Sequence, residues 1–327
     1  MIQVKNLYKE YCVAQKGKGL GGTVKALFKN EKKIIKAVNG LDFHVGSGEI
    51  VGFIGPNGSG KSTTIKMMTG ILTPTSGEVL IDGRDITKQR KEVVNDIGVV
   101  FGQRTQLNWD LRLEESFELL RHIYRIDKKE YNETLAVMDS ILGIHELLNK
   151  PVRQMSLGQR VKGDLAAAML HSPKVLFLDE PTIGLDVGSK FALRKFIKEI
   201  NAIRGTTVIL TTHDLGDIQE LCERLIIINN GVMMEDGNLS EIVERIAPYR
   251  TLVVEYYDSE VPSHPKAEII SVSDNIVRYK FMKSEMTAAA LISDLSATKP
   301  IKDVGIEEAG IDEIIKIAYT TKTTDGN

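Results

Sequence analysis

The chain has 327 residues, 26% of them charged, and a formal net charge of only −2. Its length favours one large domain with a smaller one, and the charge balance gives no reason to expect a nucleic-acid partner. Cys12 and Cys222 lack the spacing of a zinc site or a disulfide framework, which favours a reducing compartment. We see no signal peptide and no stretch near the ~18 apolar residues of a membrane helix, so we expect no span of a bilayer.

The N-terminal region combines strand-like runs with a basic insertion. Residues 2–4 and 38–45 are predicted strands of an antiparallel flap, and residues 13–36 interrupt them. The insertion contains seven lysines and a single acid, Glu31, with apolar residues between them. Such a segment fits an anionic membrane surface, where each lysine contributes about 1 kcal/mol, and it fits a solvated mobile loop equally well.

Residues 55–63 have the pattern GxxxxGKS and directly follow an apolar run at 50–54. A strand ending there and a helix beginning near Lys61 would point several N–H groups and a positive helix end at one place, where phosphate oxygens bind. Lys61 would reach the β- and γ-phosphates of a nucleoside triphosphate, and the Ser62 hydroxyl would hold Mg²⁺. The predicted phosphate-binding residues are Gly55, Pro56, Asn57, Gly58, Ser59, Gly60, Lys61, Ser62 and Thr63.

After the phosphate loop, β-branched runs alternate with helical periodicity up to residue 245. Runs at 175–178, 207–212 and 225–228 predict a parallel α/β sheet covered by helices. The pattern between about 104 and 160 is helical only, which predicts an inserted helical subdomain.

Residues 246–327 have a different pattern. The runs TLVVEYY, AEIISV and IVRYKF read as strands and MTAAALISDL and IDEIIKIAY as helices, so we predict a small α+β domain. Its last helix has an apolar stripe that would pack on its own sheet, formed by Ile311, Ile314, Ile315 and Ala318.

Two acids follow the apolar run at 175–178. Asp179 would hold Mg²⁺ through water at the end of a buried strand. Glu180 lies one residue further, where a carboxylate can polarise an attacking water as general base. An ordinary strand end with solvated acids is the simpler alternative, and the upstream phosphate loop argues against it.

The order of these motifs resembles that of the nucleotide-binding subunits of ABC transporters, over residues 1 to about 245. Gln103 stands where the family's Q-loop glutamine senses Mg²⁺ and the γ-phosphate. MSLGQ, at 155–159, resembles the family signature LSGGQ, with Leu157 in place of its first glycine and a helix expected from near Arg160. The resemblance implies roles for further residues: signature contacts from Ser156, Gly158 and Gln159, a D-loop at Asp186, a switch histidine at His213, and a base-stacking ring at Tyr11.

The resemblance implies an ATPase that binds ATP and Mg²⁺ between two subunits, a homodimer or a heterodimer. Each nucleotide would lie between one copy's phosphate loop and the other copy's signature. The pair would sit at the cytoplasmic face of the membrane and drive a separate permease chain. SLGQR, LDEPTIGLDV, the insertion and the C-terminal extension are similar to the ATPases of drug and polysaccharide efflux, which implies export. An importer ATPase with a regulatory C-terminal domain and a soluble ABC-type ATPase are the alternatives.

The helical subdomain is the expected docking surface for a permease, because RTQLNWDL directly follows Gln103. Trp109 is a candidate contact, and a buried core tryptophan is nearly as compatible with the sequence. The basic insertion is a second candidate for contact with the permease.

Overall fold

The structure, a computed structural model, describes residues 1–14, 32–102, 104–310, 313, 314 and 317. It divides into two compact units, Met1–Asp236 and Gly237–Asn327, so the division lies upstream of the domain boundary predicted at residue 246. Gln103, residues 15–31 of the basic insertion, and Ile311, Ile315 and Ala318 lie outside the described residues. Among the described residues, no helix combines the length and the apolar character needed to cross a membrane.

The predicted flap is a four-stranded antiparallel sheet with the order β2-β1-β4-β5. Its strands are β1 (Ile2–Ala14), β2 (Lys32–Val45), β4 (Ser76–Ile81) and β5 (Arg84–Asp85). The expectation that residues 13–36 interrupt the flap strands is wrong at both described ends. Val13 pairs with Lys33, and Tyr11 pairs with Ile35. Backbone pairing extends this hairpin beyond its buried part, because strand pairing does not require a buried side chain at every position.

A six-stranded sheet with the order β10-β9-β3-β8-β7-β6 forms the centre of the first unit. Its strands are β3 (Ile50–Ile54), β6 (Ile97–Phe101), β7 (Val175–Asp179), β8 (Thr207–Thr211), β9 (Arg224–Asn229) and β10 (Val232–Asn238). β7, β8, β3 and β9 run parallel, as predicted, and β6, which the sequence pattern did not predict, runs parallel to β7. Strands buried on both faces read as continuous apolar runs, and all of β8 is buried. A core cluster joins this sheet to the flap, with the rings of Phe43 and Phe53 5.8 Å apart.

The first unit also contains helices, some of which pack on the strands and some on other helices. They are α1 (Lys61–Met68), α2 (Arg90–Val94), α3 (Leu113–Tyr124), α4 (Lys128–Leu142), α5 (Leu157–Met169), α6 (Val187–Arg204) and α7 (Leu215–Leu221), with 3₁₀ turns at His145–Leu147 and Val152–Gln154. The elements between Leu113 and Gln154 are helical, in agreement with the sequence pattern. The helix expected from near Arg160 begins at Leu157.

The second unit is an α+β fold with an antiparallel sheet in the order β12-β13-β11-β14. Its elements are α8 (Leu239–Ile246), β11 (Tyr249–Tyr256), β12 (Ala267–Ser273), β13 (Ile276–Met282), α9 (Ala288–Thr298) and β14 (Ile301–Glu308). Leu291 and Leu295 of α9 pack in one cluster with Leu252 and Tyr279. The three predicted strands and the first predicted helix are confirmed. Of the predicted C-terminal stripe, the described residue is Ile314, which is buried.

Candidate functional site

The predicted phosphate loop connects β3 to α1. Gly55, Pro56, Asn57, Gly58, Ser59 and Gly60 form the connection, and Lys61, Ser62 and Thr63 form the first turn of α1. Gly60 has φ +106, and a Cβ there would lie 2.5 Å from the carbonyl oxygen of Ala37. Only glycine fits so close to β2 with that backbone conformation. The predicted strand, loop and helix context is therefore confirmed.

Lys61 is buried within this loop. Its Nζ donates to the carbonyl oxygens of Gly55, at 2.6 Å, and Pro56, at 3.1 Å. Burial lowers the pKa of Lys61, while the nearby carboxylates of Glu180 and Asp179 act in the opposite direction. The ammonium group is thus bonded to the loop backbone and lies close enough to Asp179 and Glu180 for their charges to act on it.

Asp179 lies at the carboxyl end of β7, directly opposite Thr211 of β8. Thr211 Oγ1 donates to Asp179 Oδ1 at 2.7 Å, and Ser62 Oγ lies 3.4 Å from the same oxygen. A carboxylate beside a hydroxyl is the kind of oxygen donor set that Mg²⁺ prefers, with further positions left for water and phosphate oxygens. Ser62 and Asp179 therefore fit the predicted metal-binding role.

Glu180 has a left-handed backbone, with φ +54. Its N–H donates to the carbonyl oxygen and to Oγ1 of Thr211, both at 3.0 Å. This turn directs the carboxylate to His213, whose Nε2 lies 3.0 Å from Glu180 Oε1. The two predicted catalytic side chains thus meet, although they follow different strands.

Ser62, Asp179 and Glu180 line a cleft of about 330 Å³. Gly102 directly follows β6 and lines this cleft, and its N–H donates to the Asp179 carbonyl oxygen at 2.9 Å. Gln103 follows Gly102 in the chain but lies outside the described residues. The cleft is lined by Ser62, Lys66, Ile71, Phe101, Gly102, Arg104, Asp179 and Glu180.

The signature residues form the start of α5. Ser156 is the N-cap: its Oγ accepts from the Gln159 N–H at 3.3 Å, while Gln159 Oε1 accepts from the Ser156 N–H at 3.1 Å. Gln159 Oε1 also accepts from Lys150 Nζ at 2.9 Å. This reciprocal capping box starts the helix at Leu157, earlier than predicted, because Ser and Gln three residues apart satisfy two end N–H groups.

The D-loop aspartate caps the neighbouring helix. Asp186 accepts from the N–H of Ser189 at 2.9 Å and from its Oγ at 2.7 Å, which lowers the pKa of Asp186. A Cβ on Gly158 would lie 2.3 Å from Ser189 Oγ. Signature and D-loop residues therefore lie side by side.

Two predicted aromatic contacts are partly exposed. Tyr11 is 40% exposed, and Lys9 Nζ lies 5.4 Å from its ring centre. Trp109 is 47% exposed, with the Arg160 guanidinium 5.0 Å from its ring centre. The alternative of a buried core tryptophan is therefore wrong.

Buried acids near the site were not predicted from the sequence. Asp164, on α5, accepts from Thr105 Oγ1 at 2.9 Å and from the Gln106 N–H at 3.0 Å. Burial raises the pKa of Asp164 to about 6. Asp217, on α7, is fully buried. An acid inside an otherwise apolar helix face is the sequence signal that could have identified Asp164.

Residues 38–183 match the protein family described as ABC transporter. The chain is 32% identical over 217 residues to the ABC transporter ATP-binding protein NatA of Bacillus subtilis (strain 168), covering 66% of this chain and 88% of that protein. It is 29% identical over 279 residues to the methionine import ATP-binding protein MetN 2 of Oceanobacillus iheyensis, covering 83% of this chain and 80% of that protein.

Solved structures also resemble the chain. A dimeric post-hydrolysis state of the ATP-binding cassette MJ0796, bound to ADP and Pi, has a TM-score of 0.61 and 27% sequence identity. The likeness covers 73% of this chain and 99% of that chain. The predicted fold class, an α/β P-loop NTPase with a flap and a helical subdomain, is confirmed by this likeness.

Proposed function

The chain belongs to the ATP-binding proteins of ABC transporters, which hydrolyse ATP to drive transport, and from this premise we propose that two copies share each ATP at a common seam. One copy supplies the phosphate loop and the hydrolytic residues, and the other supplies the signature. The homodimer is the simpler arrangement, since a twofold axis makes both seams alike.

The observation that carries this proposal is the placement of the two halves of the site. One half of the site lies at the carboxyl ends of the neighbouring strands β3, β8 and β7, where ligands bind in open α/β folds. It contains Lys61, Asp179, Glu180 and His213. Ser156 instead lies at the start of α5, beside the D-loop, and is exposed. A helix N-terminus is a ready anion site, so a second copy's γ-phosphate is a suitable occupant.

The residues at the carboxyl ends of these strands, called the sheet edge below, have distinct proposed roles. Lys61 and the loop N–H groups bind the β- and γ-phosphates, and Ser62, Asp179 and Gln103 hold Mg²⁺ directly or through water. When bound by these residues, Mg²⁺ would neutralise charge that develops on the phosphates. Glu180 takes the proton of the attacking water, and His213 holds the Glu180 carboxylate and contacts the γ-phosphate.

Further proposed contacts extend the seam. Gly158 allows close backbone approach of the triphosphate, Gln159 and Asp186 complete the seam, and Tyr11 stacks on the adenine. The exposed ring of Tyr11 supports this role.

We further propose that the pair drives a separate membrane permease from the cytoplasmic face, with the segment after Gln103 as docking surface and Trp109 as one contact. The 246–327 region is an accessory domain. We infer export from the resemblance to efflux ATPases; MetN 2 is named for import, so import is the alternative. ATP-dependent accumulation of substrate in inside-out vesicles, rather than its loss, would support export.

A mixing experiment tests the shared site. Lys61→Ala removes the phosphate-loop ammonium, and Ser156→Asp keeps a good N-cap while its charge repels phosphate. Each variant alone should be inactive as a homodimer. A mixed pair contains one intact site, formed by the phosphate loop of the Ser156→Asp copy and the signature of the Lys61→Ala copy. Mixing should therefore restore part of the wild-type ATPase activity.

The matched control mixes Lys61→Ala with Glu180→Gln. Both changes lie on the same half of the site, so neither composite site is intact and activity should stay absent. If Lys61→Ala and Ser156→Asp also fail to complement while wild type is active, each chain hydrolyses ATP within itself and the proposal is wrong. A wild-type chain that is inactive until a second, different subunit is added would indicate a heterodimer.

A further inference from the structure

Asp217 is a buried carboxylate next to the hydrolytic residues that the roles above do not use. It lies on α7 and has no solvent exposure. Burying an ionised carboxylate is costly unless its oxygens are hydrogen-bonded or paired with a cation. Its partners therefore indicate what this placement achieves.

Each oxygen of Asp217 is bonded. Oδ2 accepts from Thr182 Oγ1 and from Thr212 Oγ1, both at 2.9 Å, and the two hydroxyl oxygens lie 3.4 Å apart. Oδ1 accepts from Arg194 Nε at 2.7 Å. One carboxylate thus connects three separate segments of the chain.

Two of these segments carry the hydrolytic side chains. Thr182 lies two residues after Glu180, and Thr212 immediately precedes His213. β7 and β8 are paired up to Asp179 and Thr211, so ladder pairing ends just before both catalytic residues. Beyond the paired residues, the bonds to Asp217 hold together the segments that follow β7 and β8. In these segments Glu180 Oε1 and His213 Nε2 lie 3.0 Å apart.

If Asp217 served only the stability of the fold, its main contribution would be the ion pair with Arg194. Arg194 also pairs with Asp214 and with Glu220, at 3.3 and 3.2 Å. The cation therefore has other carboxylates on the same helix surface. What Asp217 alone provides, among the described residues, is the joint acceptor for Thr182 and Thr212.

We propose that Asp217 is a positioning residue for hydrolysis, which fixes Thr182 and Thr212 and so keeps Glu180 and His213 aligned. The inference rests on the proposed function of Glu180 as general base. The phosphate loop follows β3 and has no part in these bonds, so ATP binding should not depend on Asp217. A small displacement of a catalytic group is enough to lower a rate strongly.

The test compares steady-state kinetics of the full-length protein, or of its transporter complex, for Asp217→Asn, Thr182→Val and Thr212→Val. Each variant should lower kcat about tenfold or more and leave KM for ATP within about twofold. Thr182→Ser keeps the hydroxyl and should retain most of the wild-type kcat. A role in folding alone would not produce this separation of kcat from KM or this recovery by serine.

Glu220→Gln is the matched control, because it removes a carboxylate partner of Arg194 from the same helix without touching either threonine. It should keep wild-type kcat. The inference is overturned if Asp217→Asn and Thr182→Val are as active as Glu220→Gln, or if Thr182→Ser is as slow as Thr182→Val. Glu180→Gln is measured in parallel: if it turns over normally, the proposed function itself fails, whereas its loss with active Asp217 variants rejects only this inference.

Discussion

The sheet edge and the signature region differ in how their polar groups are used. At the sheet edge, side chains from distant parts of the sequence converge, as when Ser62 and Thr211 both reach Asp179. In the signature region, Ser156 and Gln159 bond mainly to each other across one helical turn. The first region is preorganised by bonds between distant segments, and the second mainly by a local capping box, with Lys150 as a further donor to Gln159. Such a difference fits a site in which one half acts on a ligand supplied by another copy.

The largest expected effect concerns the sheet edge. Glu180→Gln should lower kcat by about 10²–10⁴-fold, because an amide cannot accept the proton of the attacking water. The dissociation constant for ATP should stay near the wild-type value, as measured by calorimetry on the same preparation. Glu223→Gln, an exposed glutamate after α7, is the control and should keep full activity. Substantial turnover by Glu180→Gln would remove Glu180 from the role of base.

Lys61→Ala should weaken ATP binding itself. Loss of one charged partner from a buried contact costs about 2–5 kcal/mol, which is a loss of affinity of about 30-fold or more. Titration with a fluorescent ATP analogue measures it. Lys88→Ala is the control, because the Lys88 side chain is 77% exposed and pairs with Asp85. Equal affinities of the two variants would contradict phosphate binding by Lys61.

Asp164 tests the connection between the two regions, since it joins the signature helix α5 to the segment that leaves β6. Its native pKa of about 6 exceeds the ordinary 3.8, so the native state binds the proton more tightly than the unfolded state. Stability from this group is present at low pH and is lost as pH rises through about 6. From pH 5 to pH 8, the free energy of unfolding of wild type should fall by about 1–2 kcal/mol more than that of Asp164→Asn.

Urea unfolding followed by fluorescence measures this difference, because Trp109 is the single tryptophan of the chain and reports on the first unit. Asp110→Asn is the control, with a side chain that is 76% exposed. Parallel pH profiles for wild type and Asp164→Asn would show that Asp164 is ionised in the native state like an ordinary aspartate.

The smallest effect is expected from Gly158→Ala in the signature. The new Cβ would lie 2.3 Å from Ser189 Oγ, so this hydroxyl would have to rotate and lose its bond to Asp186, and the folding cost should be about 1 kcal/mol. ATP-dependent dimerisation of the Glu180→Gln protein, followed by light scattering, should weaken several-fold. Adding Ser189→Ala makes room within the chain. If the double variant regains dimerisation, the defect was internal; if it does not, the Cβ blocks the approach of the second copy.

The local parts of the site could be predicted from the sequence. The phosphate loop is contiguous in sequence. Its glycines, Lys61 and Ser62 can bind phosphate and Mg²⁺ only when a strand precedes them and a helix follows. Asp179 and Glu180 likewise follow an apolar run whose length is that of a buried strand. In both cases the chemistry and the secondary structure are specified by the same few neighbouring residues.

The rest depends on contacts between distant residues. β14 was missed because its side chains are mostly exposed, and its strand conformation comes from pairing with β11 rather than from an apolar pattern. β6 contains Gly98 within a short run, which weakens the β-branched signal. The bonds of Asp217 to Thr182 and Thr212 join residues up to 35 positions apart, and no local pattern reveals them.

The left-handed backbone of Glu180 has a consequence for directed evolution. A side chain in that conformation costs about 1–2 kcal/mol, and glycine would avoid the cost. A screen that rewards heat resistance alone should therefore enrich glycine at position 180 and recover sturdier proteins without the general base. Libraries intended to raise the thermal stability of this protein therefore need a selection for growth or ATP turnover in every round. Without it, stable variants that have lost ATPase activity will accumulate.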